Sequence, residues 1–354
     1  MSADPALDAL FVPIATRAVH LTSERTLFLR ARLGEWMYAW SRERFLCEQT
    51  FKPFADALSR AGAVVNDDER LDEPDGHERF PLVLVLPPRQ RDESRALLAR
   101  AMRRVADGGT VIAAQANNEG AGAVSADLER LAGPLQHLSK HKCRTVWTTV
   151  TPARIDGALV DEWAALDASR PILDGRFVSR PGLFAWDRID PASALLVSVL
   201  PEKLSGRVAD LGAGYGYLSA EVVGRCPGVS AIDLYEAERR ALAPARINIA
   251  RAVADSGRRV DTGFHWHDVT TGLPRRYDAI VSNPPFHLGR ADQPELGQSF
   301  IAAAANALEV HGEFWLVANR HLAYEATLAR HFAVVRNVAT RDGFKVIEAR
   351  EPRR

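Results

Sequence analysis

A pattern that occurs twice in the chain limits the folds that it can adopt. Each copy is an apolar run that ends in Pro-Pro, followed by a helical stretch, a glycine and a second apolar run; the Pro-Pro runs span residues 81–88 and 277–285. Apolar runs that alternate with helices are typical of parallel β-sheets covered by helices on both faces. The distance between the copies is too long for a solenoid repeat and suits a duplicated domain. We therefore predict an α/β protein with two tandem Rossmann-like domains, residues 1–160 and 161–354.

The two copies differ at the position where chemistry is expected. Asn283 and Phe286, which flank the second Pro-Pro, are replaced by Leu86 and Arg89 in the first copy. The first half also lacks the glycine-rich turn that the second half contains. We therefore predict that the first domain is catalytically degenerate and serves to position a substrate or to stabilise the protein.

Composition excludes several classes of protein. Lys+Arg and Asp+Glu both number 45, so any polyanion must be held by local basic patches rather than by net charge. Cys47, Cys143 and Cys226 are far apart and form no CxxC pair, which argues against disulfides and a zinc cluster. The amino-terminal segment has neither a basic start nor an apolar core, and no apolar run approaches the ~20 residues of a membrane span. We expect a cytoplasmic protein, favoured as a monomer, with no metal and no membrane association.

The strongest local signal is a glycine-rich turn after a short apolar strand, within residues 206–224. The candidate cofactor-binding residues in it are Asp210, Gly212, Ala213, Gly214 and Gly216. Glycines let the backbone turn tightly and approach a ligand, and the next helix begins with free N–H groups. A dinucleotide-binding turn reads G-x-G-x-x-G, whereas here Tyr217 stands at the third glycine. The turn and its preceding acid suit the amino-acid end of S-adenosylmethionine (SAM); a purely structural turn is the alternative.

Acidic residues at the ends of the next two strands are candidate nucleoside ligands. Asp233 and Glu236 both lie near the end of the second strand, where a carboxylate normally binds the ribose hydroxyls. Counting back from the following helix favours Glu236, and Asp233 is then a strand or network residue. Asp268, at the end of the third strand, can accept a hydrogen bond from the adenine amine. His265 and His267 alternate on that strand and are interpreted as packing residues rather than metal ligands.

The tetrad Asn283-Pro284-Pro285-Phe286 indicates the reaction. An exocyclic amine is a poor nucleophile because its lone pair is delocalised, so it must be held and polarised to attack a methyl sulfonium. The Asn283 side-chain oxygen and the Pro284 carbonyl can each accept one amine hydrogen. The prolines stiffen the loop, and Phe286 offers a face for a planar substrate. Catalysis would then be mainly orientation. No Ser-His-Asp grouping competes, and Cys226 lies away from this loop.

The second half resembles the class I methyltransferases, and specifically the bacterial ribosomal RNA guanine-N2 methyltransferases of the RsmC/RlmG type. The resemblance is carried by FVSRPGLFAWDRIDPASALLV, DLGAGYG, NPPFH, LVANRHLAY and GFKVIEA. It implies a seven-stranded sheet in the active domain and a degenerate methyltransferase-like domain before it. It implies methyl transfer from SAM to the N2 amine of a guanosine in ribosomal RNA, with 16S rRNA of the small subunit expected. It also places Asp190 and Ser193 near the cofactor. The chain departs from the family at Ala192, where glycine is usual, and in a longer RPGLFAWDR segment.

A guanosine in folded RNA must leave its stack to reach such a site. Basic residues of the first half could contact phosphates: Arg100, Arg103, Arg104, Lys140, Lys142 and Arg144. Three alternatives stay open: methylation of DNA adenine or protein glutamine, which uses similar loops; a non-catalytic RNA-binding or assembly protein with a vestigial SAM site; and an NAD-dependent oxidoreductase. Tyr217 weighs against the last.

Overall fold

The computed structural model describes residues 4–40, 42–66, 78–285, 287–288, 291–292 and 294–353. The chain divides into two compact units, residues 1–168 and 169–354. No helix in these described ranges combines the length and the apolar character that crossing a bilayer requires.

The first unit contains a seven-stranded sheet. Its strands are β1 (Thr26–Leu29), β2 (Phe45–Glu48), β3 (Val64–Asn66), β4 (Phe80–Val85), β5 (Val105–Ala116), β6 (Gln136–Lys140) and β7 (Cys143–Thr149). Its helices are α1 (Pro5–Ala15), α2 (Glu35–Ala39), α3 (Lys52–Arg60), α4 (Arg91–Arg104), α5 (Ala121–Ala132) and α6 (Gly157–Ala164). The order in the sheet is β3-β2-β1-β4-β5-β7-β6, and only the pairings made by β7 are antiparallel.

The second unit repeats this plan. A short antiparallel pair, β8 (Arg170–Ile172) and β9 (Phe177–Ser179), precedes it. The remaining strands are β10 (Ser205–Leu211), β11 (Gly228–Glu236), β12 (Asp261–Trp266), β13 (Tyr277–Ser282), β14 (His287–Leu288), β15 (Ala291–Asp292), β16 (Leu308–Asn319), β17 (Phe332–Arg341) and β18 (Phe344–Pro352). The helices are α7 (Pro191–Val199), α8 (Tyr217–Arg225), α9 (Leu242–Ser256), α10 (Pro294–Ala307) and α11 (Glu325–His331). The seven-stranded sheet has the order β12-β11-β10-β13-β16-β18-β17, and β14 pairs with β15.

The central strands are apolar on both faces because helices cover both sides of each sheet. Val208 and Ala209, neighbours in β10, are both fully buried, but they belong to separate apolar clusters on opposite faces. Burial on both faces explains why these strands appear in the sequence as continuous apolar runs rather than as an alternating pattern.

The two sheets match strand for strand, which confirms the predicted repeat. Leu29 of β1 pairs with Val85, and Leu211 of β10 pairs with Ser282. The residue after each partner is then equivalent, so Leu86 occupies the position of Asn283, as the sequence comparison predicted. The Pro-Pro pairs therefore follow the same strand in both units.

The two units divide after Ala168, close to the predicted boundary at residue 160. The predicted division falls inside α6, which packs against α4 of the first unit. Its Trp163 is fully buried in an apolar cluster of that unit, so the burial of this ring sets the boundary.

Candidate functional site

The glycine turn and the Asn-Pro-Pro loop lie side by side at one edge of the second sheet. They follow β10 and β13, which are adjacent parallel strands, so their carboxyl ends meet at that edge. A Cβ atom placed on Gly212 would lie 3.9 Å from the Asn283 carbonyl oxygen and 3.9 Å from Cδ of Pro285. In open α/β sheets this edge is where ligands bind.

The turn needs glycine at three positions. Gly212, Gly214 and Gly216 have φ values of 76°, 55° and 88°, in the left-handed region that side chains with a Cβ disfavour. A Cβ on Gly214 would meet nothing within 4 Å, so this glycine borders open space. Backbone N–H groups of Gly212 and Ala213 both donate to the Tyr235 carbonyl, at 2.9 and 3.1 Å, and fix the turn against β11.

Asp210 is fully buried directly beneath the turn. Its Oδ2 accepts hydrogen bonds from the backbone N–H and the hydroxyl of Ser219, at 3.1 and 2.7 Å. Its Oδ1 is buried and has no hydrogen-bond partner among the described residues. Burial raises the pKa of this carboxyl to about 7; the Ser219 hydroxyl opposes the shift and the nearby Glu236 charge adds to it. Ser219 was not singled out in the sequence.

Glu236 lies beside the same turn, whereas Asp233 does not. The carboxylate of Glu236 accepts the N–H of Gly214 and the N–H of Glu238, each at 2.7 Å. Burial raises its pKa, and these backbone donors oppose the rise.

Asp233 faces a separate polar network. It accepts hydrogen bonds from His265, Tyr277 and Arg207 at 3.1, 3.1 and 3.2 Å. Although burial alone would raise the pKa of Asp233, the bonds from His265 and Tyr277 lower it. His265 is therefore a network residue, and no group of three or more potential metal ligands occurs within the described ranges.

Asp268 follows β12 at the same edge of the sheet. Its Oδ1 accepts hydrogen bonds from the backbone N–H and the hydroxyl of Thr270, at 2.9 and 2.7 Å, and so caps a short turn. His267 bonds to the Gly272 carbonyl at 2.6 Å through Nε2, which fits its interpretation as a structural residue.

The Asn283 side chain is held in one orientation by the cap of α7 and by a residue in the first turn of that helix. Its Nδ2 donates to Asp190 Oδ2 at 2.9 Å and to Ser193 Oγ at 2.8 Å. A carboxylate only accepts hydrogen bonds, so the amide nitrogen must face Asp190 and the amide oxygen must face away from it. Asp190 is itself fixed, because Oδ2 also accepts the N–H of Ser193 as the cap of α7.

Two prolines complete the described part of the loop. Pro284 is buried, and Pro285 is exposed. Phe286, predicted to stack on the substrate, lies outside the described residues.

Nothing in the sequence indicated the structural role of Asn248. Its amide hydrogen-bonds to the N–H and the carbonyl of Val178 and to the carbonyl of Tyr215, at 2.7–2.8 Å. These bonds tie the glycine turn to β9.

In the first unit, the equivalent edge is filled by polar side chains. Arg30, with φ 53°, occupies the position of Gly212, and its guanidinium donates to the Leu86 carbonyl at 3.3 Å. Gln49 occupies the position of Glu236 and donates to the Ala31 carbonyl at 2.6 Å. Gln115 donates to the carbonyls of Pro87 and Pro88, at 3.3 and 3.1 Å. The groups that would receive ligands in the second unit are bonded internally here.

The predicted phosphate contacts fall into two groups. Arg100 and Arg104 of α4 form ion pairs with the buried Glu48, and Arg103 pairs with Asp161. The guanidinium groups of these arginines therefore have acidic partners within the unit, and their contact with phosphates stays a prediction. The remaining three lie on the exposed β6–β7 hairpin: Lys140, Lys142 and Arg144.

Comparison with known proteins places the chain in a family. The model of the methyltransferase small domain matches residues 174–348. A ribosomal RNA small subunit methyltransferase C of Pseudomonas paraeruginosa is 32% identical over 271 residues, which are 76% of this chain and 79% of that protein. The chain belongs to this methyltransferase family.

One further relative and one solved structure extend the match over nearly the whole chain. The small subunit methyltransferase C of Psychromonas ingrahamii is 26% identical over 93% of this chain and 90% of its own length. The structure of the T. thermophilus 16S rRNA N2 methyltransferase RsmC, in complex with AdoMet and guanosine, superimposes with a TM-score of 0.80 at 24% identity. The superposition covers 99% of this chain and 92% of the T. thermophilus protein. The predicted fold of two methyltransferase-like domains is confirmed.

The family's cofactor is S-adenosylmethionine, and the residues at the edge fit it. The buried Oδ1 of Asp210 can accept a hydrogen bond from an ammonium group, directly or through water. Gly214 leaves room for a ligand to approach the backbone, because a Cβ there would meet nothing within 4 Å.

Affinity for SAM is expected to fall as the pH drops below about 7. The ammonium group of SAM would bind the ionised form of Asp210. Burial raises the pKa of this carboxyl to about 7, so protonation would compete with binding below that value. The dissociation constant should rise by up to about tenfold per pH unit in that range. Calorimetry from about pH 5.5 to about pH 7.5 stays below the titration of an α-amino group at ~8. Asp210→Asn should bind SAM weakly, with a dissociation constant that does not change with pH in this range. If the variant shows the same pH dependence as the wild type, the titrating group is another one, such as Glu236.

Proposed function

We propose that the protein transfers a methyl group from SAM to the exocyclic N2 amine of a guanosine in 16S rRNA. The observation that carries this proposal is the fixed amide of Asn283, whose nitrogen is bound by Asp190 and Ser193. We further propose that it acts as a monomer in the cytoplasm, on the small-subunit RNA.

The fixed amide supports a mechanism based on orientation. When bound, SAM supplies an electrophilic methyl group on a sulfonium. With Nδ2 occupied, Asn283 presents Oδ1 as an acceptor for one amine hydrogen, and the Pro284 carbonyl accepts the other. Both bonds direct the nitrogen lone pair towards the methyl group. The prolines contribute no N–H that would compete for these acceptors.

The roles of the surrounding residues follow from their positions. Asp210 would hold the ammonium group of the cofactor and Glu236 its ribose hydroxyls; each carboxylate oxygen can accept more than one hydrogen bond, so the backbone donors leave capacity. Asp268 would accept from the adenine amine. Asp190 and Ser193, predicted near the cofactor, act in this proposal mainly by positioning Asn283.

The test is product identification. Purified protein would be incubated with labelled SAM and with 16S rRNA, intact small subunits, DNA or protein extract, and the labelled product identified by mass spectrometry. N2-methylguanosine in 16S rRNA supports the proposal. Methylated adenine in DNA or methylated glutamine in protein would replace it with one of the alternatives. Absence of SAM binding by calorimetry would favour a vestigial site.

Ala318→Gln is expected to lower turnover, because it introduces into the second unit the glutamine that binds the Pro-Pro carbonyls in the first unit. Register places Ala318 at the position of Gln115, whose amide binds the Pro87 and Pro88 carbonyls. A glutamine there would compete with substrate for the Pro284 carbonyl and should reduce kcat by on the order of tenfold, since one hydrogen bond is lost. SAM affinity should be retained. Ala318→Leu has similar bulk without the amide and serves as the control; an equal loss in both variants would indicate overpacking instead.

A further inference from the structure

Phe184 has the largest exposed fraction, 69%, among the exposed large apolar side chains of the described residues. It belongs to residues 181–189, here called the rim loop, which connect β9 to the cap of α7. Burying a phenylalanine ring is favourable, so an exposed ring beside a binding site often marks a contact surface.

The rim loop is held in place along its length. The Pro181 carbonyl accepts a hydrogen bond from Arg240 at 2.6 Å, and the Arg188 carbonyl accepts one from the Tyr215 hydroxyl at 3.0 Å. Leu183 is buried, and the Trp186 ring lies 4.6 Å from the Arg170 guanidinium. The exposure of Phe184 is therefore a property of an anchored loop.

These anchors also locate the loop at the candidate site. Arg240 lies just after β11, close to Glu236, and Tyr215 lies within the glycine turn. The residue after the loop, Asp190, binds Asn283. The rim loop thus runs along the ligand-binding edge from the β11 side to the Asn-Pro-Pro loop, with Phe184 on its solvent side.

We propose that Phe184 stacks on a nucleobase of the substrate RNA that neighbours the methylated guanosine. The inference rests on the proposed function, because it takes RNA as the substrate. A guanosine that enters the site leaves its stack, and its neighbour loses a stacking partner. An aromatic ring on an anchored loop replaces that partner without selecting a particular base.

The test compares Phe184→Ala and Phe184→Tyr with Val310→Ala. Val310 is also exposed, at 51%, but lies near the start of β16, at the opposite edge of the same sheet. Anisotropy with a labelled single-stranded RNA of about ten nucleotides that contains guanosine measures binding without methyl transfer. KM and kcat are measured on 16S rRNA, and SAM affinity by calorimetry.

We expect Phe184→Ala to raise the RNA dissociation constant and KM by on the order of tenfold, with kcat and SAM affinity unchanged. Phe184→Tyr should restore RNA binding, and Val310→Ala should match the wild type. Equal RNA affinity in F184A and wild type overturns the inference, as does a loss confined to SAM affinity, which would make the loop a cofactor lid. Failure of the wild type to methylate RNA overturns the proposed function instead, and the anisotropy comparison still decides the role of Phe184.

Discussion

Asn283→Ala is expected to lower kcat by on the order of a hundredfold or more, with little change in SAM affinity. In the proposed mechanism, the alanine removes the oxygen that accepts a substrate hydrogen, so the amine would be neither polarised nor aligned. The Asn283 side chain interacts with Asp190 and Ser193 rather than with the residues proposed to hold the cofactor. Single-turnover methylation of 16S rRNA measures the chemical step, and calorimetry measures SAM binding.

Asn283→Asp separates orientation from the mere presence of an acceptor. An aspartate keeps an oxygen on the substrate side but places a second carboxylate within hydrogen-bond distance of Asp190, where the amide nitrogen stood. Repulsion between the two charges should displace the side chain or force a proton onto the pair. We expect a loss of kcat close to that of the alanine variant. Asn337→Ala, on β17 at the far side of the sheet, is the matched control. Near wild-type turnover in Asn283→Asp would contradict the orientation argument.

The sequence predicts the architecture because local patterns of residues determine it. Apolar runs give the central strands, and the two Pro-Pro pairs follow equivalent strands, so the repeat and the position of Leu86 could be found without a structure. Gly212 and Gly214 could be predicted for the same reason, since left-handed backbone selects glycine locally.

What the sequence did not predict depends on contacts between distant segments. Nothing in the local pattern shows that Asp190 fixes the amide of Asn283 or that Ser219 bonds to the buried carboxylate of Asp210. The arginines of α4 resembled an exposed basic cluster because their partners, such as Glu48, lie far away in the chain. The boundary between the two units depends on Trp163, whose ring is buried in the first unit. Helical periodicity alone does not show to which of the two domains the helix that carries Trp163 belongs.

Comparison of the two units shows how the hydrogen-bonding groups of such a site can be occupied by the protein's own side chains while the fold is kept. Arg30 retains the left-handed backbone of Gly212, and the N–H of Ala31 donates to the Glu48 carbonyl, just as Ala213 donates to Tyr235. The change lies in the side chains, because Arg30 and Gln49 satisfy backbone acceptors with their own donors. We infer that internal hydrogen bonds stabilise the first unit in place of a ligand, and that the second unit leaves Asp210 incompletely satisfied in order to bind one.

Asp210→Asn is expected to weaken SAM binding by about tenfold to a hundredfold at pH 8, because a hydrogen bond to a charged group contributes ~1.5–3 kcal/mol. The asparagine oxygen can still accept both bonds from Ser219, so the turn should keep its conformation. Its NH₂ group would replace the buried Oδ1, so the proposed acceptor for the ammonium group would become a donor. Calorimetry at pH 8, with circular dichroism to check the fold, measures the effect.

The same substitution should stabilise the protein, with a defined pH dependence. Because burial raises the pKa of Asp210 to about 7, the unfolded chain releases this proton at lower pH than the folded protein does. The contribution of Asp210 to the free energy of unfolding therefore falls as pH rises from about 4 to about 7, by as much as about 4 kcal/mol, and then levels off. Asp210→Asn removes this loss of stability. Its free energy of unfolding, measured with denaturant, should therefore exceed that of the wild type at pH 8, and the difference should shrink towards pH 5. A variant that is equally stable or less stable at pH 8, with SAM affinity unchanged, would mean that the carboxyl is satisfied in solution and does not bind the cofactor.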